Sequence, residues 1–151
     1  MPGLFLVAAA ALIVRGDGCI LLLRRSPLKD FAPGEWEIPN GRLEAGETVL
    51  AALHREVMEE TGLIVEPIRP VDTWRVIRGP ENQEMIGITY LCHLSGRSDV
   101  RLSQENDAYE WVQPKDVSAF PVALIFRGCL FARARLGTLA ECVSVKSAVA
   151  S

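Results

Sequence analysis

The segment REVMEETG, Arg55–Gly62, places Glu56, Glu59 and Glu60 within five positions. On a helix, like charges at neighbour spacing repel and cost a few tenths of a kcal/mol per pair. At about 100° per residue, Glu59 lies about 60° to one side of Glu56 and Glu60 about 40° to the other, so the acids share one stripe. Leu50, Leu53 and Val57 form an apolar stripe beside it at spacings of three and four. One edge of the acidic face is therefore expected to approach the interior. Carboxylates crowded near low dielectric must protonate, pair or bind a cation. Arg55 sits beside Glu59 on the wheel and offsets only part of the charge. Hard oxygen donors of this kind suit Mg²⁺ or Mn²⁺. Taken alone, an acidic helix face is more often a solvated one, so the residues around it decide.

The elements that would position these acids follow from pattern and punctuation. Thr48–Thr61 is predicted as a helix, with Thr48 as N-cap and Gly62 at the left-handed C′ position. Before it, Gly3–Arg25 reads as a buried β-hairpin around the turn Arg15–Gly18. Ser26–Gly34 reads as a loop, Glu35–Ile38 as a short strand stopped by Pro39–Gly41, and Arg42–Glu47 as a second loop. After it come strand-like segments at Leu63–Val65, Val71–Ile77, Met85–Leu94 and Ala108–Val112, with a hairpin loop from Gly79 to Glu84. Pro114–Phe120 is predicted as a short helix and Ala123–Leu136 as a longer one, with Leu124, Phe126, Leu130 and Phe131 apolar. The tail, 137–151, has weak patterning and is expected to be loose. The fold class is α+β, with a mixed sheet between helices, in one domain spanning 1–151.

Composition narrows the function. A chain of 151 residues buries enough surface to need no staples. The net charge of −3 argues against a general nucleic-acid binder, which would carry a basic face. It is compatible with a small anionic substrate whose charge is met by a metal. Cys19, Cys92, Cys129 and Cys142 form no CxxC pair and are expected to be free thiols in a reducing cytoplasm. The apolar run Leu4–Val14 is too short to cross a bilayer and lacks a basic leader, so no membrane partner is expected.

Gly41, Glu47, Arg55, Glu56, Val57, Glu59, Glu60, Gly62 and Leu63 fit the pattern G-x5-E-x7-R-E-U-x-E-E-x-G-U, with U aliphatic. On background frequencies, a chance match is on the order of one in a million. The pattern resembles the signature of the Nudix hydrolases, of the MutT-like kind. WEIPNG, from Trp36, resembles the family's W-x-x-P-G-G entry, LLLRR its strand ending in basic residues, and ENDAYEWV its acidic segment closing the sheet. Together these cover roughly Leu4–Asp116. Asn40 stands where the family often has glycine, and asparagine tolerates a left-handed backbone nearly as well.

The resemblance implies a Nudix-type α/β/α sandwich and metal-assisted cleavage of a phosphoanhydride in a nucleoside diphosphate linked to another group. It implies Glu56, Glu59 and Glu60 as ligands of Mg²⁺ (or Mn²⁺), with the Gly41 carbonyl as a further one. Arg55 belongs to the catalytic set, and it is expected to form an ion pair with Glu47 that holds the loop on the helix. Gly62 is structural within the motif. Glu105 is the candidate general base and Glu60 its competitor. Arg24, Arg25 and Arg42 are candidate phosphate contacts, and Trp36 a stacking or packing residue. Trp74 and Phe31 are weaker stacking candidates, each better read as core or rim. His54 is expected at the surface, and His93 as structural within a strand. The expected substrate is a (deoxy)nucleoside triphosphate, with ADP-ribose or another nucleotide sugar as the alternative. A non-catalytic nucleotide-binding module is the reading from another class. A homodimer is common among similar enzymes.

Overall fold

The computed structural model describes residues 3–135, with side chains described to Ala132. The expected loose tail and Cys142 lie outside the described residues.

An alanine-rich strand organises the sheet. Strand β1 (Phe5–Val14) contains Ala8, Ala9, Ala10 and Ala11, each at most 1% exposed. It pairs in parallel along its whole length with β6 (Gln83–Ser95), from Phe5 opposite Glu84 to Val14 opposite His93. A strand covered on both faces reads as a continuous apolar run, and small side chains let both helical layers approach it. Ala8, Ala10, Leu12 and Val14 point into one core, and Ala9, Ala11 and Ile13 into the other.

The hairpin expected over Gly3–Arg25 closes only at its turn. Arg15 N–H donates to the Cys19 carbonyl at 2.9 Å, and Asp17 accepts from the Arg15 guanidinium and the Cys19 N–H. Strand β2 (Ile20–Arg25) then leaves β1 after the single pair Val14–Ile20. The intervening space is filled by the segment from Trp36 to Arg42. Its first part, β3 (Trp36–Glu37), pairs with β2, and its second, β4 (Asn40–Arg42), pairs with β1. Pro39 has no N–H to offer a ladder, and its carbonyl accepts from Ala11 N at 2.8 Å. The other partner of β2 is β7 (Asn106–Val112).

The two strands expected at Leu63–Val65 and Val71–Ile77 are one, β5 (Ile64–Arg78), antiparallel to β6. Its register shifts between Pro67 and Arg69 and between Pro70 and Asp72. The strand order is β3-β2-β1-β6-β5, which puts β5 at an edge where a missing N–H is tolerated.

Helix α1 (Val49–Thr61) covers one face of the sheet through Ala52, Leu53 and Val57. Burying Leu53 and Val57 is worth about 1.5–3 kcal/mol each. The other face carries a 3-10 helix (Pro114–Ala119) and α2 (Leu124–Arg135), through Val117, Phe126 and Leu130. This is the expected α/β/α sandwich. Leu50 of the expected apolar stripe is exposed, as are the apolar Leu124 and Phe131 of α2. Trp74 is core: its indole lies over Gly87, its N–H donates to Thr89 Oγ1 at 3.1 Å, and it packs edge-on against Phe126. Cys19, Cys92 and Cys129 are free and buried. No helix among the described residues is long and apolar enough to cross a membrane.

Candidate active site

Helix α1 is capped at both ends as its sequence requires. Thr48 Oγ1 accepts from Ala51 N–H at 3.1 Å, and Gly62 closes the helix with φ of 70°. With Ala52, Leu53 and Val57 buried on the sheet, the helix turns Glu56 toward β4. A Cβ on Gly41 would overlap the Glu56 carboxyl group, so glycine here lets that carboxyl lie against the β4 backbone.

Arg55 gathers the acids around it. Its Nε and Nη2 bind the two oxygens of Glu47 at 2.6 and 3.0 Å. Nη2 also donates to the Arg42 carbonyl at 3.0 Å, and Nη1 donates to Glu56 at 2.8 Å and to Glu59 at 3.2 Å. One guanidinium thus clasps the loop, β4 and the helix together, by a fork that lysine cannot copy. Glu47 accepts from Glu44 N–H as well. The Arg55 guanidinium, then that N–H, holds the Glu47 carboxyl down to about 2.

Glu60 has the opposite environment. It is 3% exposed, and its Oε2 accepts from the Asn40 N–H at 3.1 Å. Burial, then the nearby Glu37 and Glu56, push its carboxyl well above the ordinary value. Burial also raises Glu56, against the opposing pull of Arg55.

Glu37 is the residue that sequence reasoning missed. It is buried on β3, and its Oε2 accepts from Arg25 Nη1 at 2.8 Å and Asn40 Nδ2 at 3.3 Å. Its Oε1 accepts from Asn106 Nδ2 at 3.2 Å. Asn106 also donates to the Arg24 carbonyl, while its buried Oδ1 has no partner among the described residues. Turning the amide over would set Oδ1 against the Glu37 carboxylate, so Glu37 fixes its orientation. The available signal was the alternation Trp36–Glu37–Ile38, which gives Glu37 the face that α1 covers.

Beside these groups lies a cleft of about 430 Å³. Glu56, Glu60, Gly41 and Glu105 line it, as do Arg25, Arg42, Lys29 and Arg78. Glu105 is more than half exposed and pairs with Lys29 at 3.0 Å. Glu59 is also more than half exposed and is not among the lining residues. The structure does not bring Arg24 and Trp36 to the cleft. Arg24 binds Asp107 at 2.7 Å and lies 5.9 Å from the Trp36 ring, which packs edge-on against Phe120. Packing is one of the two roles expected of Trp36, and neither Arg24 nor Trp36 is among the residues lining the cleft. Arg25 lines the cleft with its guanidinium committed to Glu37 and to the Phe31 carbonyl. His54 is exposed, and His93 lies within β6, half-buried.

Among the described residues, no three acidic, histidine or cysteine side chains converge as a ready set of metal ligands. The local chemistry nonetheless fits a divalent cation. Glu56, Glu59 and Glu60 are hard oxygen donors on one helical stripe, the Gly41 backbone lies against Glu56, and among the described residues no cationic side chain is bonded to Glu60. A cation there would relieve the repulsion that raises Glu56 and Glu60.

Comparison with known proteins places this geometry. The NUDIX domain family matches residues 4–131. A MutT-like protein of Streptomyces ambofaciens is 36% identical over 117 residues, covering 78% of this chain and 70% of its own. Nucleoside triphosphatase NudI of Salmonella schwarzengrund (strain CVM19633) is 32% identical over 126 residues, covering 78% of this chain and 89% of its own. Among solved structures, the MutT protein of Methanosarcina mazei Go1 superposes with a TM-score of 0.75 at 27% identity, over 87% of this chain and 94% of that one.

Proposed function

The chain belongs to the Nudix hydrolase family of pyrophosphohydrolases, and from that premise we propose that its substrate is a (deoxy)nucleoside triphosphate and its metal Mg²⁺. The observation that carries this reading is a cleft lined by Glu56, Glu60 and Glu105 together with Arg42 and Arg78, with Arg55 bonded to Glu56 behind it. The NudI relative, a nucleoside triphosphatase by name, supports the choice of substrate class.

Glu56, Glu59 and Glu60, with the Gly41 carbonyl, would hold the metal, which when bound lowers the pKa of water and offsets phosphate charge. The chain's own residues do the rest. Arg55 keeps the helix and the glycine loop in fixed register, so that Glu56 faces the cleft. The Asn40 N–H holds Glu60 at the cleft wall, and the Asn40 side chain is itself tied to Glu37. Glu105, exposed and lining the cleft, is positioned to take a proton from the attacking water. Arg42 and Arg78 meet the negative charge of the phosphate chain.

The test is product release from a panel of nucleoside triphosphates and ADP-ribose with Mg²⁺, for wild type, Glu59→Gln and Glu60→Gln. Turnover of triphosphates by wild type and its collapse in both variants is expected. Preferred turnover of ADP-ribose would move the substrate to the nucleotide sugars. Full activity in the variants would overturn the metal-ligand assignment. No turnover of any substrate by folded protein, Mn²⁺ included, would leave a binding module.

A further inference from the structure

We propose that Asn40, Glu37 and Asn106 form a buried positioning relay that sets the spacing between Glu60 and the Glu105 loop. The inference rests on the metal-ligand and base roles proposed above and adds the residues that would hold those two groups in register.

Asn40 stands where the family often has glycine, and its backbone does not explain the exchange. Among the described residues other than glycine, only Ala32 and Asn82 have positive φ, so Asn40 uses no left-handed tolerance. What it adds is a side chain. Its Nδ2 donates to the Ile38 carbonyl at 2.8 Å and to Glu37 Oε2 at 3.3 Å. These bonds fix the residue whose N–H donates to Glu60 Oε2 at 3.1 Å. Glycine has no side chain with which to aim that N–H.

The other oxygen of Glu37 reaches the opposite arm. Its Oε1 accepts from Nδ2 of Asn106, the neighbour of Glu105, at 3.2 Å. The ladder between β2 and β7 is shifted in a way that allows this. Arg24 lies opposite Ala108 and Arg25 opposite Asn106, which leaves Asp107 as the extra residue of a bulge. Asp107 turns to Arg24 instead, at 2.7 Å. In an unshifted ladder Asp107 would stand opposite Arg25 and bring a second carboxylate to Glu37. The bulge puts an amide there, which can donate.

The Glu105 main chain is held on both sides. Ser26 N–H donates to its carbonyl at 2.9 Å, and its own N–H donates to Ser103 Oγ at 3.3 Å. Ser103 accepts from Asn106 N–H and donates to the Glu60 carbonyl, each at 3.4 Å. The relay and this loop thus close a ring from the Glu60 carboxylate back to the Glu60 backbone. Glu37, Asn106 and Glu60 are each at most 4% exposed, and Arg25 Nη1 at 2.8 Å matches the Glu37 charge. Hydrogen bonds in such low dielectric are strong and fix geometry.

The test separates the two arms in the whole protein. Mn²⁺ binding is measured calorimetrically without nucleotide, and kinetics are read at saturating Mg²⁺ on whichever substrate of the panel is turned over. Asn40→Ala keeps the N–H and loses the side chain, and should weaken Mn²⁺ binding about tenfold, as residues behind a metal ligand do. Asn106→Ala should leave Mn²⁺ affinity within about twofold and lower kcat about tenfold, with KM unchanged. Asn106→Asp sets a carboxylate against Glu37 and should lower kcat about a hundredfold. Adding Glu37→Gln to it returns a donor to face an acceptor and should recover about tenfold of that loss. A purely structural network would lower Tm in these variants and leave Mn²⁺ affinity and kcat at wild-type values. That result overturns the relay and leaves the proposed function standing, as does a failure of Glu37→Gln to recover any of the Asn106→Asp loss. If Asn106→Ala does not fold, Asn106→Ser is judged by the same criteria. In a protein that turns over no substrate of the panel, the Asn40→Ala binding result decides. Weakening by about tenfold keeps the relay while the hydrolytic reading falls, and wild-type affinity overturns the relay as well.

Discussion

Glu47 and Glu60 are the same residue type on either side of one helix, and the fold treats them in opposite ways. Glu47 has the Arg55 fork on both oxygens and an N–H besides, and its carboxyl is held near 2. Glu60 is buried, accepts from one N–H, and faces Glu37 and Glu56, which push its carboxyl up. The first environment is complete, with the charge matched within the chain. The second is not, because among the described residues no cationic side chain is bonded to Glu60. A carboxylate whose partners are all internal is structural. One that is buried, crowded and unmatched is held ready for a charge from outside the chain.

The largest expected effects test that division directly. Glu60→Gln and Glu56→Gln should lower kcat/KM by about 10²–10³-fold, the rate equivalent of a few kcal/mol of lost charge stabilisation. Glu60→Gln should do so without unfolding, because its neutral amide suits a site that already disfavours charge. A Glu60→Gln variant that melts well below wild type in the absence of metal would show that the charge itself supports the fold. Gly41→Ala comes next. The added Cβ displaces the Glu56 carboxyl, at about 1–3 kcal/mol of overpacking and about 10²-fold in rate from misplacement. Thermal melting and steady-state kinetics read the two effects separately. Wild-type kinetics in Gly41→Ala would mean that Glu56 is free to move without consequence. Glu47→Gln is expected to be milder, about 10–100-fold, since it acts by loosening Arg55 rather than by removing a ligand.

The structural half of this comparison was legible in sequence, and the functional half only in outline. The helix, its Thr48 and Gly62 caps and the Glu47–Arg55 pair are local, set by spacings that one helix and its preceding loop determine. The apolar stripe was misjudged at one position. Leu50 is exposed, and Ala52 takes the sheet-facing place beside Leu53, because a three-residue stripe does not fix which edge of a helix meets the sheet. Glu37 was only half legible, for a related reason: the alternation Trp36–Glu37–Ile38 gives its face but not that face's burial. A two-residue strand carries no period long enough to show that both of its faces are covered. The β1–β2 turn was legible, but the ladder beyond it was not. A turn sets where two strands meet, while their divergence depends on Trp36–Arg42 inserting from elsewhere in the chain. Arg78 follows directly on the expected strand Val71–Ile77, but its place at the cleft depends on how β5 pairs with β6, which local pattern does not give.

The smallest expected effect is on stability against pH, and its sign separates the two glutamates. A group whose folded pKa is raised contributes stability that is complete below its unfolded value and is lost as pH rises through the folded one. For Glu60 the loss begins above the ordinary value of 4.5 and extends well upward. For Glu47, with a folded value of about 2, the contribution is complete above 4.5 and is lost as pH falls from there toward 2. In EDTA, the wild-type Tm should therefore decline from pH 5 to pH 8, and Glu60→Gln should flatten that decline. Glu47→Gln should leave the slope in that window unchanged and lessen the loss of stability below about pH 4.5. Mg²⁺ at about a hundred times its Kd should restore about 2.7 kcal/mol, or about 5–10 °C for a chain of this size. The restoration should grow with pH, because the cation competes with the proton for the same carboxylates. A Tm in EDTA that stays level from pH 5 to 8, and that Mg²⁺ does not move, would mean that Glu60 has found its counter-charge inside the protein. The two glutamates would then be alike after all.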